Sequence, residues 1–468
     1  KQEEARQEVA GVASQERSYK AIVVLFLHGG VDSYNLVVPH SACSASDLYA
    51  EYAAVRGPAI AIAKDDLLPF NVSAGSQPCA TFGLHPELPF VHSLYQQGEA
   101  VFVANVGALV EPLTKSTWKK EGERPNALFA HNAQQKCAAN VHAQSLSADG
   151  VLGRIAQVLT RRDKDPYSVG AYSIRGNQKI LENGAVVPNI LSRSGSLPEF
   201  EFYDDIGEHL VNLTRPKAGS IFSETISEAI GQSLVKNREL AAMLGAANVT
   251  RKFKDSGGAN TDLGKQLMQV AKVIDARKEL GAERDVFFVS IGGFDTHSDE
   301  GEKLASNFKH INKALEAFVT EMRDHGVWDQ VTLATLSDFG RTLTSNGRGT
   351  DHAWGGNHVV MGGQIRGGQI LGAYPPTLAQ SDTNPLNIGR GRLIPTTPWE
   401  GLWQGLSEWF GVAEDEMAAV LPNKHRFNAS NPLHLFSHDQ LFVPSPPTPP
   451  SPPAPPLAPP SPPTPPAH

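Results

Sequence analysis

The chain has 468 residues, 40% of them hydrophobic, and a formal net charge of −8, a composition typical of a globular protein. The acidic balance and the scattered basic residues exclude the electrostatic footprint of a nucleic-acid-binding protein. The longest apolar run, residues 21–27, is far shorter than the roughly 20 residues that a membrane-spanning helix needs. We therefore expect neither a nucleic-acid partner nor a membrane span.

The amino-terminal segment, residues 1–19, is polar and is predicted to form an arm. The chain begins with Lys1, which fits removal of a signal peptide, although a trimmed chain would look the same. Four N-glycosylation sequons favour secretion. Their acceptors are Asn71, Asn212, Asn248 and Asn428. We expect an extracellular protein with covalent glycans, located in a cell wall, at a cell surface or in a secreted fibre.

The chain has three cysteines, Cys43, Cys79 and Cys137. In an oxidising compartment we predict a disulfide between Cys43 and Cys79, with Cys137 free. Three buried, reduced thiols are the alternative.

Strand-like and helix-like segments alternate from Lys20 onward. Apolar runs occur at residues 21–27, 100–106, 285–291, 330–336 and 358–363. Helical periodicity occurs at residues 224–244, 263–280 and 302–325. This alternation predicts an α/β domain over residues 20–443, with a mostly parallel sheet sandwiched between helices. Ligands of such domains bind at the carboxyl ends of the strands.

Carboxylate and imidazole side chains follow the strand-like runs in four glycine-rich clusters. They are Asp32 in residues 28–35, Asp295 and His297 in 292–300, Asp338 in 337–342, and Asp351, His352 and His358 in 349–358. Such groups converging from separate strands predict a divalent-metal site for zinc, manganese or calcium. Asp32 and Asp338 could instead cap helices, and Asp–His pairs could hold loops together.

Several stretches resemble one known family. They read FLHGGVDSYNLVVP, GGFDTHSD, LSDFGRTLTSNGRGTDHAWGGNHVVMGG and GRLIPTT, and the resemblance covers roughly residues 20–427. They are similar to an uncharacterised secreted domain family that is grouped with the alkaline phosphatase and sulfatase superfamily. The resemblance implies that superfamily's α/β sandwich. It also implies metal-site positions at Asp32, Asp295, His297, Asp338, Asp351 and His352.

The chain departs from the pattern of that family at several positions. A segment that usually reads LFSHNDQQ is LFAHNAQQ here, with Ala130 and Ala133 in place of a hydroxyl and a carboxylate. Alanine offers neither a nucleophile nor a base. A usual histidine pair reads Asn357-His358, and a usual glutamate is Asp338. Ser33, beside Asp32, is a candidate for a substitute nucleophile.

The carboxy-terminal segment, residues 444–468, is more than half proline. Proline excludes helix and sheet, so the segment is predicted to form a polyproline II rod of about 75 Å. It resembles the hydroxyproline-rich glycoproteins of plant and algal walls.

Three functions remain open. The first is a structural glycoprotein, a degraded member of a hydrolase superfamily that self-associates into a fibre or wall layer. The second is a metal-dependent hydrolase of phosphate or sulfate esters, with the tail as an anchor. The third is a module that binds glycans. Loss of both side chains at positions 130 and 133 favours the first and the third, whereas retention of Asp295, His297, Asp351 and His352 favours the second. The sequence on balance favours a structural protein without enzymatic activity.

Overall fold

The computed structural model describes residues 17–427 and 435–444, except for residues 74, 184–185, 194–202, 215–226, 228–237, 239, 248, 250–252 and 254–259. The strands are β1 (Lys20–Leu27), β2 (Val37–Cys43), β3 (Leu68–Asn71), β4 (Cys79–Leu84), β5 (Ala100–Gly107), β6 (Val169–Ser173), β7 (Asn189–Ile190), β8 (Arg284–Ile291), β9 (Val331–Ser337), β10 (Gly356–Gly362), β11 (Ile370–Leu371) and β12 (Thr397–Pro398). The helices are α1 (Leu48–Arg56), α2 (Pro89–Gln96), α3 (His131–Asn140), α4 (Val151–Thr160), α5 (Tyr203–Leu213), α6 (Asp262–Asp275), α7 (Glu300–Asp324), α8 (Trp399–Phe410), α9 (Met417–Val420) and α10 (His438–Leu441).

The main sheet has the strand order β11-β5-β10-β9-β1-β8-β6-β7, and β12 also pairs with β5. Its central strands β9, β1 and β8 are parallel, as are β6 and β7 beside them. Only β10, within this described sheet, runs antiparallel to its neighbours β5 and β9. A smaller antiparallel sheet has the order β2-β4-β3. The predicted mostly parallel α/β architecture is therefore confirmed.

Alternate residues of β1 enter two separate cores. Val23 and Leu25 pack with α6 and α7 on one face of the sheet. Val24 and Phe26 pack with α4 and α8 on the other face. Because both faces are covered, the strand has no polar side and reads as a continuous apolar run.

The structure also locates the predicted helices and covalent features. The helices predicted at 263–280 and 302–325 are α6 and α7, displaced by a few residues at their ends, whereas most of 224–244 lies outside the described residues. A disulfide joins Cys43 of β2 to Cys79 of β4, and Cys137 is a buried free cysteine. No helix among the described residues has the length and apolar character needed to cross a membrane.

Two predicted sequon acceptors, Asn71 and Asn212, lie at exposed positions. Asn248, Asn428, most of the predicted arm and nearly all of the proline-rich tail lie outside the described residues. The domain boundaries and the glycosylation therefore stay predictions.

Candidate metal centre

The loops after β1, β8 and β9 meet because these neighbouring parallel strands end at the same edge of the sheet. Gly29, in the loop after β1, lies between the loops that follow β8 and β9. Its N–H donates to Asp338 Oδ1 over 3.2 Å, and its carbonyl oxygen accepts from Arg341 Nη1 over 3.0 Å. With φ at +113°, a Cβ at this position would lie 2.4 Å from the Asp295 nitrogen. Glycine therefore permits the close approach that builds the site.

Three imidazoles and one carboxylate converge at this edge. His352 Nε2 lies 3.1 Å from His131 Nε2, 3.2 Å from His297 Nε2 and 3.2 Å from Asp295 Oδ1. His297 Nε2 lies 3.0 Å from the same carboxylate oxygen. Ligand atoms of His131, Asp295 and His352 all lie within 4.8 Å of one another. The part of the chain that the structure describes thus contains a compact His/Asp group able to hold a metal ion.

The Nδ1 atom of each imidazole faces an acceptor. His131 Nδ1 lies 2.6 Å from Asp338 Oδ2, and His297 Nδ1 lies 3.1 Å from Asp351 Oδ1. His352 Nδ1 lies 2.8 Å from the carbonyl oxygen of Phe129, which can only accept. An imidazole with an acceptor at Nδ1 carries its proton there when the ring is neutral, and its Nε2 lone pair then points toward the other two rings.

Convergent lone pairs beside a carboxylate repel one another unless a cation lies between them. Imidazole nitrogen and carboxylate oxygen are ligands that zinc favours, and an acceptor behind each metal-bound imidazole is the usual supporting arrangement. The residues present therefore fit a divalent ion of the zinc class. They fit calcium less well, because calcium takes oxygen ligands.

Arg341 holds the carboxylate of Asp295. Its buried guanidinium donates to Asp295 Oδ1 over 2.9 Å and is itself held by the side chain and carbonyl oxygen of Thr350. Burial raises the pKa of Asp295, but the bond and charge of Arg341 outweigh it and keep the pKa below its usual value. Burial also lowers the pKa of His352, which favours its neutral form. Both shifts keep the two groups in the protonation states that a metal requires.

Five of the seven predicted metal-site residues belong to this centre, in two different positions. Asp295, His297 and His352 face its interior. Asp338 and Asp351 instead hold the Nδ1 atoms of His131 and His297, so they orient imidazoles. The structure thus places these two aspartates behind the predicted ligands.

Asp32 does not join the cluster. Its fully buried carboxylate forms an ion pair with Arg56 of α1, and the same guanidinium lies 3.9 Å from Glu300. Pairing with a buried arginine gives Asp32 a structural explanation. We therefore correct the prediction of Asp32 as a metal ligand.

His358 and Ser33 are likewise held in the interior. His358 lies in β10, where burial lowers its pKa to about 3 and its ring packs on Trp399 with 4.8 Å between the ring centroids. The Ser33 hydroxyl is buried and accepts a 2.7 Å hydrogen bond from the Asn357 backbone N–H. The prediction of His358 as a metal ligand and that of Ser33 as a nucleophile are therefore corrected, because both side chains are held in the interior.

The model of a protein family described as "Protein of unknown function (DUF1501)" matches residues 19–390. The chain belongs to the DUF1501 family. No curated protein matches the sequence. This match confirms the prediction that the chain contains a domain of an uncharacterised family.

Solved structures show distant likenesses to this DUF1501 chain. The periplasmic domain of Escherichia coli EptC, in complex with zinc, has 8% identity and a TM-score of 0.30, over 75% of this chain and 74% of that one. The sulfatase PsFucS1 from Pseudoalteromonas sp. has 12% identity and a TM-score of 0.30, over 79% and 68%. The TAB5 alkaline phosphatase mutant His 135 Glu, with magnesium bound, has 9% identity and a TM-score of 0.27, over 74% and 92%. Scores this low do not establish a shared activity.

His131 is the member of the centre that sequence reasoning missed. It lies in the LFAHNAQQ segment, between the two alanines. It enters the site from the first turn of α3 and not from a strand end. The available signal was a histidine within the segment that resembles LFSHNDQQ.

The two alanines of that segment occupy helix-capping positions. Ala130 is the N-cap of α3 and makes no side-chain cap bond, and Ala133 is the third helical residue. The serine and aspartate that the resemblance implies at these positions would have the spacing of a capping box. The missing side chains therefore have a structural explanation, which weakens the inference that catalytic groups were lost.

Substitution of Ala130 by serine is expected to raise the free energy of unfolding by about 1 kcal/mol, because the hydroxyl would accept from a backbone N–H of the first turn. Denaturant unfolding measures the change, and Ala130→Val is the control that gives no cap. A serine variant with unchanged stability but new esterase turnover would contradict this and restore the nucleophile explanation.

Proposed function

We propose that this chain is a metal-dependent hydrolase of phosphate or sulfate esters. The observation that carries the proposal is the set of three imidazoles whose Nδ1 atoms are all engaged, which leaves three Nε2 lone pairs facing Asp295. Packing alone gives no reason for such an arrangement, because converging lone pairs cost free energy without a cation.

The protein groups have distinct roles in this proposal. His131, Asp295 and His352 hold the ion, and His297 lies beside them as a further ligand. A divalent ion there would polarise an ester oxygen and lower the pKa of a water molecule. Asp338 and Asp351 orient the imidazoles, and Arg341 keeps Asp295 ionised. Water is the attacking group, because Ala130 has no hydroxyl and that of Ser33 is buried.

The rim of the centre suits an anionic substrate. Arg390 pairs with Asp351 and remains 58% exposed at its side chain. Arg392 donates to the carbonyl oxygen of His352 over 2.9 Å. Two guanidiniums beside the centre favour phosphate or sulfate esters over neutral ones.

A structural role in an extracellular assembly is the second candidate, favoured by the proline-rich sequence of residues 444–468. In that role the chain would self-associate into a fibre or wall layer. The disulfide between Cys43 and Cys79 supports an extracellular location for either function. The tail is also compatible with the enzyme, as an anchor to a glycan-rich wall.

Turnover of 4-nitrophenyl phosphate and 4-nitrophenyl sulfate by the zinc-loaded chain tests the proposal. We expect hydrolysis of at least one ester, its loss on addition of a chelator and its recovery with zinc. Zinc binding without turnover of either ester would contradict a hydrolase and favour the glycan-binding module. Filaments from a chain that binds no zinc would favour the structural role.

A further inference from the structure

The turn formed by residues 387–393 is fixed firmly beside the metal centre. Asn387 pairs with Leu393 in an antiparallel bridge. The Asn387 side-chain oxygen accepts from the N–H groups of Gly389, over 2.9 Å, and Gly391, over 3.2 Å. The Gly391 carbonyl oxygen accepts from the Leu343 N–H over 3.0 Å. These bonds specify one conformation of the turn.

The tip of this turn has three consecutive residues with positive φ. They are Gly389 at +108°, Arg390 at +57° and Gly391 at +69°. A side chain is also excluded at Gly391, because a Cβ there would lie 2.6 Å from the Cβ of Leu343. Glycine would relieve the backbone at position 390 as well, yet that position carries an arginine. A non-glycine residue in this region is strained, and such strain is concentrated at functional sites.

The strained residue contacts the support of the metal centre. The Arg390 guanidinium donates through Nη2 to Asp351, whose other oxygen lies 3.1 Å from His297 Nδ1. The neighbouring Arg392 is held more tightly, since it donates to His352 and lies over the Phe129 ring at 4.7 Å. Arg392 is therefore held in one position. The guanidinium of Arg390, in contrast, is largely exposed and has further N–H groups that can donate.

We infer that Arg390 binds the tetrahedral oxyanion of the substrate and that residues 387–393 form the specificity turn of the centre. The guanidinium fork matches two oxygens of a phosphate or sulfate group. The inference deepens the proposed hydrolase function and rests on it. It explains why position 390 carries an arginine where glycine would be less strained.

Binding of inorganic phosphate and inorganic sulfate to the zinc-loaded chain tests this role by calorimetry. For Arg390→Gly we expect the phosphate or sulfate dissociation constant to rise at least about tenfold, as loss of charge-assisted hydrogen bonds predicts. The denaturation midpoint should stay the same or rise, because the strain is relieved. Arg390→Lys should bind with intermediate affinity. The anion that is more affected by the substitution identifies the ester class.

Arg348→Ala is the matched control, because Arg348 is a nearby arginine, 77% exposed at its side chain, that pairs with Asp299. We expect it to leave anion affinity within about twofold. Equal anion binding by the native chain and Arg390→Gly would overturn this inference and leave the hydrolase proposal standing. A loss of zinc affinity as large as the loss of anion affinity would also overturn it, because Arg390 would then act only through Asp351. A native chain that binds no zinc would overturn both.

Discussion

Substitution of His352 by alanine is expected to weaken zinc binding by more than the roughly 10- to 100-fold that loss of an orienting group causes. Its Nε2 lies within 3.2 Å of His131, His297 and Asp295, so the change removes a central ligand atom. Competition for zinc against a chromophoric chelator measures the affinity. The same change should abolish any chelator-sensitive ester hydrolysis.

Two variants calibrate that measurement. Asp338→Asn keeps the shape of the side chain but removes the charge behind His131, and should cost roughly 10- to 100-fold in affinity. His92→Ala removes a histidine of α2, which contacts the Pro69 carbonyl oxygen, and should change nothing. If His352→Ala bound zinc as well as His92→Ala, the centre would not be where we place it.

Substitution of Arg56 by methionine is expected to lower the free energy of unfolding by about 3–5 kcal/mol. Arg56 is fully buried between the carboxyl groups of Asp32 and Glu300, so its removal leaves two buried carboxyl groups without their cation. Burial lowers the pKa of Arg56 to about 10, because the surroundings disfavour the charged form. Chemical denaturation monitored by tryptophan fluorescence gives the change.

The matched control for Arg56 is an exposed pair of the same chemistry. Arg348 pairs with Asp299 at 3.5 Å, and both side chains are more than half exposed. Arg348→Ala should therefore lower the free energy of unfolding far less than Arg56→Met does. A similar, small loss for Arg56→Met would show that the buried pair is not a stabilising element and would reopen a functional role for Asp32.

The architecture was predictable because its central strands leave a strong local signal. Covered on both faces, β1, β8 and β9 read as largely apolar runs. Glycine and acidic residues directly after these strands marked the edge where ligands gather. Asp295 and Asp338 were found in this way, since position after a strand is a property of the sequence alone.

Roles within the centre depend on partners that spacing cannot reveal. Asp32 follows a strand just as Asp338 does, but Arg56 of α1 lies against it and turns it into half of a buried ion pair. His358 lies in a motif with His352 yet points into the core beneath Trp399. His131 arrives from a helix start, with no strand before it to mark it.

The interpretation of Ala130 and Ala133 shows how local structure alters a functional inference. As letters in a motif, they suggested an enzyme that had lost its reactive groups. As the N-cap and third residue of α3, they are positions where serine and aspartate stabilise a helix end. The same substitutions then carry little weight against catalysis.

Anomalous diffraction at the zinc absorption edge, from crystals of the zinc-loaded chain, tests the central claim most directly. We predict one strong peak between the Nε2 atoms of His131 and His352 and the carboxylate of Asp295, about 2.0–2.2 Å from each ligand atom. Absence of a peak there, with the Nε2 atoms hydrogen-bonded through water or turned apart, would contradict the metal centre and the hydrolase built on it.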